Sequence, residues 1–122
     1  MAKKILIVED IAMNRRLIRD ILTYHGYEVI EAENGEEAVR IAREQKPDLI
    51  IMDLQMPVMN GYEAIKVLKS DPVTKNIKIL AVTSFAMAGD REKALETGAD
   101  GYISKPINTR DLPKVVERLL GS

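Results

Sequence analysis

The stretch Leu49-Ile50-Ile51-Met52-Asp53-Leu54-Gln55-Met56-Pro57 sets four apolar residues directly before a carboxylate, and a proline follows four residues later. Consecutive apolar side chains suit a strand buried on both faces. Asp53 then stands where the buried strand reaches the sheet edge. An acid there has lost much of its solvation and needs a partner charge, a metal or hydrogen bonds. It either ends the strand and caps the next turn, or belongs to a charged site. The flanking chain has to decide.

Toward the N-terminus, Ile5 to Val8 reads as a second buried strand, and it too ends in acid, at Glu9 and Asp10. From Ala12 the apolar period becomes helical, with a stripe of Met13, Leu17, Ile18, Ile21 and Leu22, and Gly26 stands where a C-terminal cap belongs. Tyr27 to Ala32 is a weaker strand. Asn34 caps the next helix, with Glu37 in a capping-box arrangement, and Lys46-Pro47 ends it. Toward the C-terminus, Asn60-Gly61 opens a helix lined by Tyr62, Ile65 and Leu68, and Asp71 to Asn76 is a polar loop. Ile77 to Thr83 is a strand, and a helix from about Met87 to Thr97 stops at Gly98. Gly101 to Ser104 is a short fifth strand ending at Lys105-Pro106. Asn108 or Thr109 caps a last helix carrying Leu112, Val115, Val116, Leu119 and Leu120. The pattern is strand–helix five times, which predicts an α/β fold, a parallel sheet covered by helices on both faces.

The 122 residues suit one domain, and 46% hydrophobic with 30% charged residues is an ordinary globular balance. A net charge of -1 gives no field that would draw the chain onto nucleic acid or a membrane. Without cysteine there are no disulfides or thiolate metal sites. No stretch approaches the ~20 apolar residues that span a bilayer, and the apolar run near the start is too short for a signal peptide. A cytoplasmic chain is expected.

In a parallel sheet the C-terminal ends of the strands share one edge, and ligands bind in the crevice beyond it. That edge collects Glu9 and Asp10, Asp53, Thr83 and Ser84, and Lys105, while strand two offers Glu33 or Asn34 with no obvious role. Asp48 opens strand three, ~16 Å from Asp53 at ~3.3 Å per residue, and reads as a loop acid. Three neighbouring carboxylates repel, and at least one is protonated unless compensated. A divalent cation with oxygen ligands resolves this, and Mg²⁺ takes one or two carboxylates and keeps its waters. The lack of Cys and the single His25 argue against zinc or a redox metal. Asp10 and Asp53 would seat the metal. With Lys105 and Thr83 beside it, Asp53 can act as a nucleophile and form an aspartyl phosphate.

These residues carry a resemblance. Val8-Glu9-Asp10, Met52 to Pro57, Asn60-Gly61, Val82-Thr83-Ser84, Gly98 to Tyr102 and Lys105-Pro106 resemble the receiver domain of two-component response regulators over essentially the whole chain. The resemblance implies a CheY-like, flavodoxin-like sheet in the order 2-1-3-4-5. It implies that Asp53 accepts a phosphoryl group from a phosphohistidine on a sensor kinase or phosphotransfer protein. It also implies Mg²⁺ on Asp10, Asp53 and the Gln55 backbone carbonyl, with Glu9 acting through water, and Thr83 and Lys105 on the phosphoryl oxygens. Tyr102 matches the switch aromatic that follows Thr83, and output to a downstream protein would use the face of helix four, strand five and helix five. The Lys105-Pro106 bond is expected to be cis. Gln55 and Phe85 flank the path of attacking water, and Phe85 could shield the acyl phosphate. The segment Phe85 to Glu92, with Asn14-Arg15-Arg16, is similar to receivers of hybrid kinases and of the stand-alone DivK-like subgroup. A single receiver domain over 1–122, with no output domain, acting as monomer or weak dimer, is the expectation.

Plainer readings exist for each residue. Glu9-Asp10 could be a helix-start acid pair favoured by the macrodipole, Thr83 a strand-end hydroxyl, Lys105 a solvated lysine and Tyr102 strand packing. His25 reads as a helix-end histidine, and Met52, Met56 and Met59 as packing residues. Three other functions compete with a regulator that catalyses only its own phosphorylation and dephosphorylation. A haloacid-dehalogenase-type phosphohydrolase would want an acid two residues after the nucleophile, where Gln55 stands. A flavodoxin-like cofactor binder would want a phosphate loop after strand one, where Glu9-Asp10 would repel phosphate. A receiver fold kept only for interaction is argued against by the intact set of acids, Thr83 and Lys105.

Overall fold

The computed structural model describes residues 2–56, 59–83 and 89–121. Within them the chain alternates β1 (Lys4–Val8), α1 (Ala12–Tyr24), β2 (Glu28–Ala32), α2 (Gly35–Gln45), β3 (Leu49–Asp53), α3 (Gly61–Ser70), β4 (Lys78–Thr83), α4 (Asp90–Thr97), β5 (Gly101–Ser104) and α5 (Asp111–Leu120). All strand pairs are parallel, in the order β2-β1-β3-β4-β5. Register puts Val8 beside Met52 and Asp53 beside Val82, so β1, β3 and β4 finish at the same edge.

Side chains alternate across the sheet, so the apolar runs of the central strands feed two cores. Leu6, Val8, Ile50, Met52, Ile79 and Ala81 pack with Ala38 and Ala42 of α2, Ala64, Ile65 and Leu68 of α3 and Ala94 of α4. Ile5, Ile7, Leu49, Ile51, Leu80 and Val82 pack with Ile18 and Leu22 of α1 and Leu112 and Val116 of α5. This is why β3 shows no polar alternation before Asp53: both of its faces are covered.

Local signals place most helix ends. Asn34 accepts the Glu37 amide at 2.8 Å and Asn60 the Glu63 amide at 3.0 Å, each replacing a bond the first turn cannot make internally. Gly26, with φ 87, follows the His25 C-cap in the left-handed conformation that L-residues avoid. Several boundaries differ from expectation by a residue or more. Tyr27, Asp48 and Ile77 lie just outside β2, β3 and β4. Asp48 instead clamps β1: its amide donates to the Lys4 carbonyl and its carboxylate accepts the Lys4 amide, both at 2.8 Å. The described part of α4 begins at Asp90, and the expected start at Met87 lies outside the described residues. The helix proper of α5 begins at Asp111, yet Asn108 does cap its opening turn, accepting the amides of Arg110 and Asp111. The α1 stripe is corrected most. Ile18 and Leu22 are buried, but Met13 and Leu17 face solvent.

Candidate functional site

Three strand ends bring the charged residues together. Asp53, the last residue of β3, is 3% exposed, and Glu9, one residue beyond β1, is 1% exposed. Asp10 is exposed. Carboxylate oxygens of Glu9, Asp10 and Asp53 lie within 4.8 Å of one another. Lys105, just after β5, donates from Nζ to Glu9 Oε1 at 2.5 Å and to Asp53 Oδ2 at 3.3 Å. Its amide donates to the Thr83 carbonyl at 2.7 Å, which fixes where its side chain starts, and the Lys105-Pro106 bond is cis, as expected.

The turn after β3 is held tightly. The Gln55 amide donates to Asp53 Oδ1 at 3.1 Å, and the Gly61 amide to the Leu54 carbonyl at 3.2 Å. A Cβ on Gly61 would lie 2.4 Å from the Asp53 carbonyl oxygen, so only glycine lets α3 begin this close to β3.

The charges do not balance locally. Burial most strongly pushes the Asp53 carboxyl up, and the hydrogen bond and charge of Glu9 add to it. The Gln55 amide and Lys105 pull back less, leaving it at about 7. Burial also acts to raise Glu9, but hydrogen bonds from Asp53 and Lys105 outweigh it and hold Glu9 below its ordinary value. Asp10 is pushed up by partial desolvation and by Glu9. Burial acts to lower Lys105, and its bonds to the two carboxylates overcome that and raise it. Burial and the charge of Glu9 thus favour the protonated form of Asp53, while the bonds to Glu9 favour its ionised form. Three carboxylates around one ammonium leave room for more positive charge, and an all-oxygen donor set suits a hard divalent cation.

Thr83 is buried at the end of β4 and donates from Oγ1 to Gln55 Oε1 at 2.9 Å. This contact of the Gln55 side chain was not legible in the sequence, where only its backbone carbonyl and its place near the water path stood out. Tyr102 packs against the core on the α3–α4 side, and its buried hydroxyl has no hydrogen-bond partner among the described residues. Ser84, Phe85 and Pro57 lie outside the described residues. His25 is the C-cap of α1, its ring edge-on to Tyr24 and distant in the fold from the acids.

A further cation borders the acids. Arg15, on the first turns of α1, donates from Nη1 to the Glu9 carbonyl at 2.8 Å and from Nε to Glu31 of β2 at 3.1 Å. In the sequence Arg15 stood out only within Asn14-Arg15-Arg16 and Glu33 only as an acid at the same sheet edge, and Glu31 not at all.

Residues 5–117 match the family described as response regulator receiver domain, and the chain belongs to that family. It is 45% identical over 121 residues to the polar-differentiation response regulator DivK of Brucella anthropi, an alignment spanning 99% of this chain and 98% of that one. DivK of Brucella ovis is 44% identical over the same share of each chain. Among solved structures, a receiver domain of a sensor histidine kinase from Pseudomonas aeruginosa PAO1, with a magnesium ion coordinated in its active-site cleft, matches with TM-score 0.92 and 35% identity over the whole of both chains. A putative response regulator of Chloroflexus aurantiacus matches with TM-score 0.95 and 30% identity, again over both whole chains. This is thus a DivK-like receiver of a two-component system. No helix among the described residues is long and apolar enough to cross a membrane.

Proposed function

We propose that Asp53 accepts a phosphoryl group from a phosphohistidine of a kinase or phosphotransfer protein, and that the 122 residues work as one such receiver unit. The observation that carries this reading is the convergence of Glu9, Asp10 and Asp53 around a single lysine. Asp10, Asp53 and the Gln55 carbonyl are the residues to hold Mg²⁺, with Glu9 acting through water. Bound there, the ion supplies the missing positive charge and stabilises charge on the transferring phosphoryl group. The magnesium ion in the active-site cleft of the Pseudomonas aeruginosa receiver supports this use of the acids.

The rest follows from this chain's own atoms. Asp53 must be ionised to act as a nucleophile. An Asp53 oxygen then forms a bond to phosphorus as the bond from phosphorus to the donor imidazole nitrogen breaks. Lys105 already contacts Asp53 Oδ2, so its ammonium is placed to follow the new phosphoryl oxygens. For Thr83 to reach them its hydroxyl must leave Gln55, which links the chemistry to the end of β4. Tyr102 on β5 is the side chain to register that change, and the face of α4, β5 and α5 the surface to display it to a downstream protein.

A donor must bring its histidine to Asp53, and exposed apolar side chains stand on and just before α1, the helix that follows Asp10. Ile11, Met13 and Leu17 are 52%, 81% and 42% exposed, and Leu17 shares a cleft with Asn14, Lys105, Pro106 and Ile107. Exposed apolar side chains on the helix that borders Lys105 fit a transient protein partner.

Incubation with acetyl phosphate and Mg²⁺, followed by intact-mass spectrometry, tests the proposal. A single phosphoryl adduct, absent in Asp53→Asn and without Mg²⁺, is the expected result. Continued turnover without an adduct would favour a hydrolase, and no reaction would leave an interaction module.

A further inference from the structure

The sheet edge holds one cation that the phosphoacceptor reading does not use. Arg15 is only 15% exposed on its side chain, and each part of its guanidinium has a partner. Nη1 donates to the carbonyl of Glu9 at 2.8 Å, Nε to Glu31 at 3.1 Å, and Nη2 lies 3.8 Å from Glu33. The Glu9 carbonyl belongs to the peptide that joins Glu9 to Asp10. The fork therefore grips the backbone between the two acids that follow β1, and anchors that grip on the end of the neighbouring strand. Arg19, one turn further along α1, reaches the other oxygen of Glu31 at 3.3 Å, so Glu31 is itself held by two arginines.

The chain direction explains why a clamp is needed. Val8 ends β1, and regular α1 pairing starts only after Ile11, which caps the helix with no side-chain bond. The peptide after Glu9 is thus outside both the sheet ladder and the helix. Besides the bond from Arg15, the Glu9 amide donates to the Ala32 carbonyl at 3.1 Å and the Ile11 amide to Glu9 Oε2 at 3.3 Å. Neither holds the Glu9 carbonyl. In that turn Glu9 must point into the buried site while Asp10 stays at its mouth, and a rotation of their shared peptide would separate the two carboxylates.

We infer that Arg15, braced by Glu31, is a positioning residue for the divalent-cation site: it orients the Glu9–Asp10 peptide so that Asp10 can share a cation with Asp53. This rests on the Mg²⁺ reading above. Groups that orient metal ligands without touching the metal typically account for about 10-fold to 100-fold in metal affinity. The inference also opposes simple charge effects in sign. Removing a positive charge next to three carboxylates should tighten cation binding through space, whereas losing the clamp should weaken it.

Mg²⁺ titration followed by amide NMR shifts of Asp10, Ile11 and Gln55 separates the two. With positioning, R15A binds Mg²⁺ about tenfold more weakly than the unsubstituted protein. R15K also binds more weakly, because lysine keeps the charge and loses the fork that spans carbonyl and carboxylate. R19A, which breaks only the outer bond to Glu31, leaves the affinity within about twofold, since it is not itself an orienting group of the kind that carries such losses. The inference is overturned if R15A binds as tightly or tighter, if R15K matches the unsubstituted protein, or if R19A loses as much as R15A. Should R15A fail to fold, R15K alone decides. An unsubstituted protein whose amides do not respond to Mg²⁺ would overturn the cation site as well, whereas a responsive one with tight-binding R15A and R15K would remove only the role of Arg15.

Discussion

The two edges of the sheet use the same residue types to opposite ends. At the edge where strands begin, Asp48 and Asp100 are matched. Asp48 accepts the Lys4 amide, and Asp100 accepts the Ile79 amide at 2.9 Å and Lys69 Nζ at 3.1 Å, while Lys69 also donates to the Ile77 carbonyl. These are staples that satisfy backbone groups at strand starts. At the edge where strands end, Glu9, Asp10 and Asp53 gather around Lys105, and burial raises the Asp53 carboxyl above its ordinary value. Charge in balance holds a fold together; charge left in deficit makes a site.

Three measurements can break or sharpen that contrast. The largest effect is expected from Lys105→Met, which strands two buried carboxylates. Breaking a buried ion pair costs about 3–5 kcal/mol, and urea unfolding at pH 8 should show a loss of this order. Lys69→Met at the opposite edge should cost about 1–2 kcal/mol, the loss of hydrogen bonds to a charged group. Equal losses would erase the distinction between the edges.

The pH dependence comes next. Asp53 is raised from 3.8 to about 7, so the folded protein holds a proton that the unfolded chain releases. Its contribution to stability is full below about pH 4 and is lost as pH rises through about 7. Glu9, held low, works oppositely, contributing above its ordinary value of 4.5 and failing as pH falls. With a chelator present, stability should therefore decline between about pH 4 and 7 and level off above that, and Asp53→Asn should flatten the slope and be more stable at pH 8 by about 2 kcal/mol. Added Mg²⁺ should stabilise the unsubstituted protein more at pH 8 than at pH 6, because binding must displace the proton. A slope unchanged by Asp53→Asn would mean that the proton resides elsewhere.

The smallest effect is expected from Asp48→Ala. The Lys4 amide it serves lies at the exposed start of β1, where water can replace the carboxylate, so a cost of about 1 kcal/mol is expected, with Mg²⁺ binding and phosphorylation unchanged. Impaired Mg²⁺ binding in this variant would show that the edges are coupled through β1 and β3.

Much of this was open to reading in the chain. Apolar runs ended by Glu9, Asp53, Thr83 and Lys105, with a weaker strand over Tyr27 to Ala32, show five strand–helix units and a shared polar edge, because periodicity and strand termination are local properties. Asn34 and Asn60 announce their helices for the same reason. Met13 and Leu17 misled, since a helical stripe shows which side of a helix is apolar but not how wide a strip of it the sheet will cover.

The sequence by itself determined which residues reach the site's edge, since strand direction and end points follow from short stretches of chain. Only the tertiary structure decided what they do there. Glu9 and Asp10 are adjacent, yet one is buried against Lys105 and the other stands at the mouth. Thr83 meets the side chain of Gln55, and Arg15 ties Glu9 to Glu31. Each of these pairings joins separate segments whose approach depends on sheet register and helix packing. The balance of charge at Asp53 depends on those distances, and no single stretch of the chain contains them.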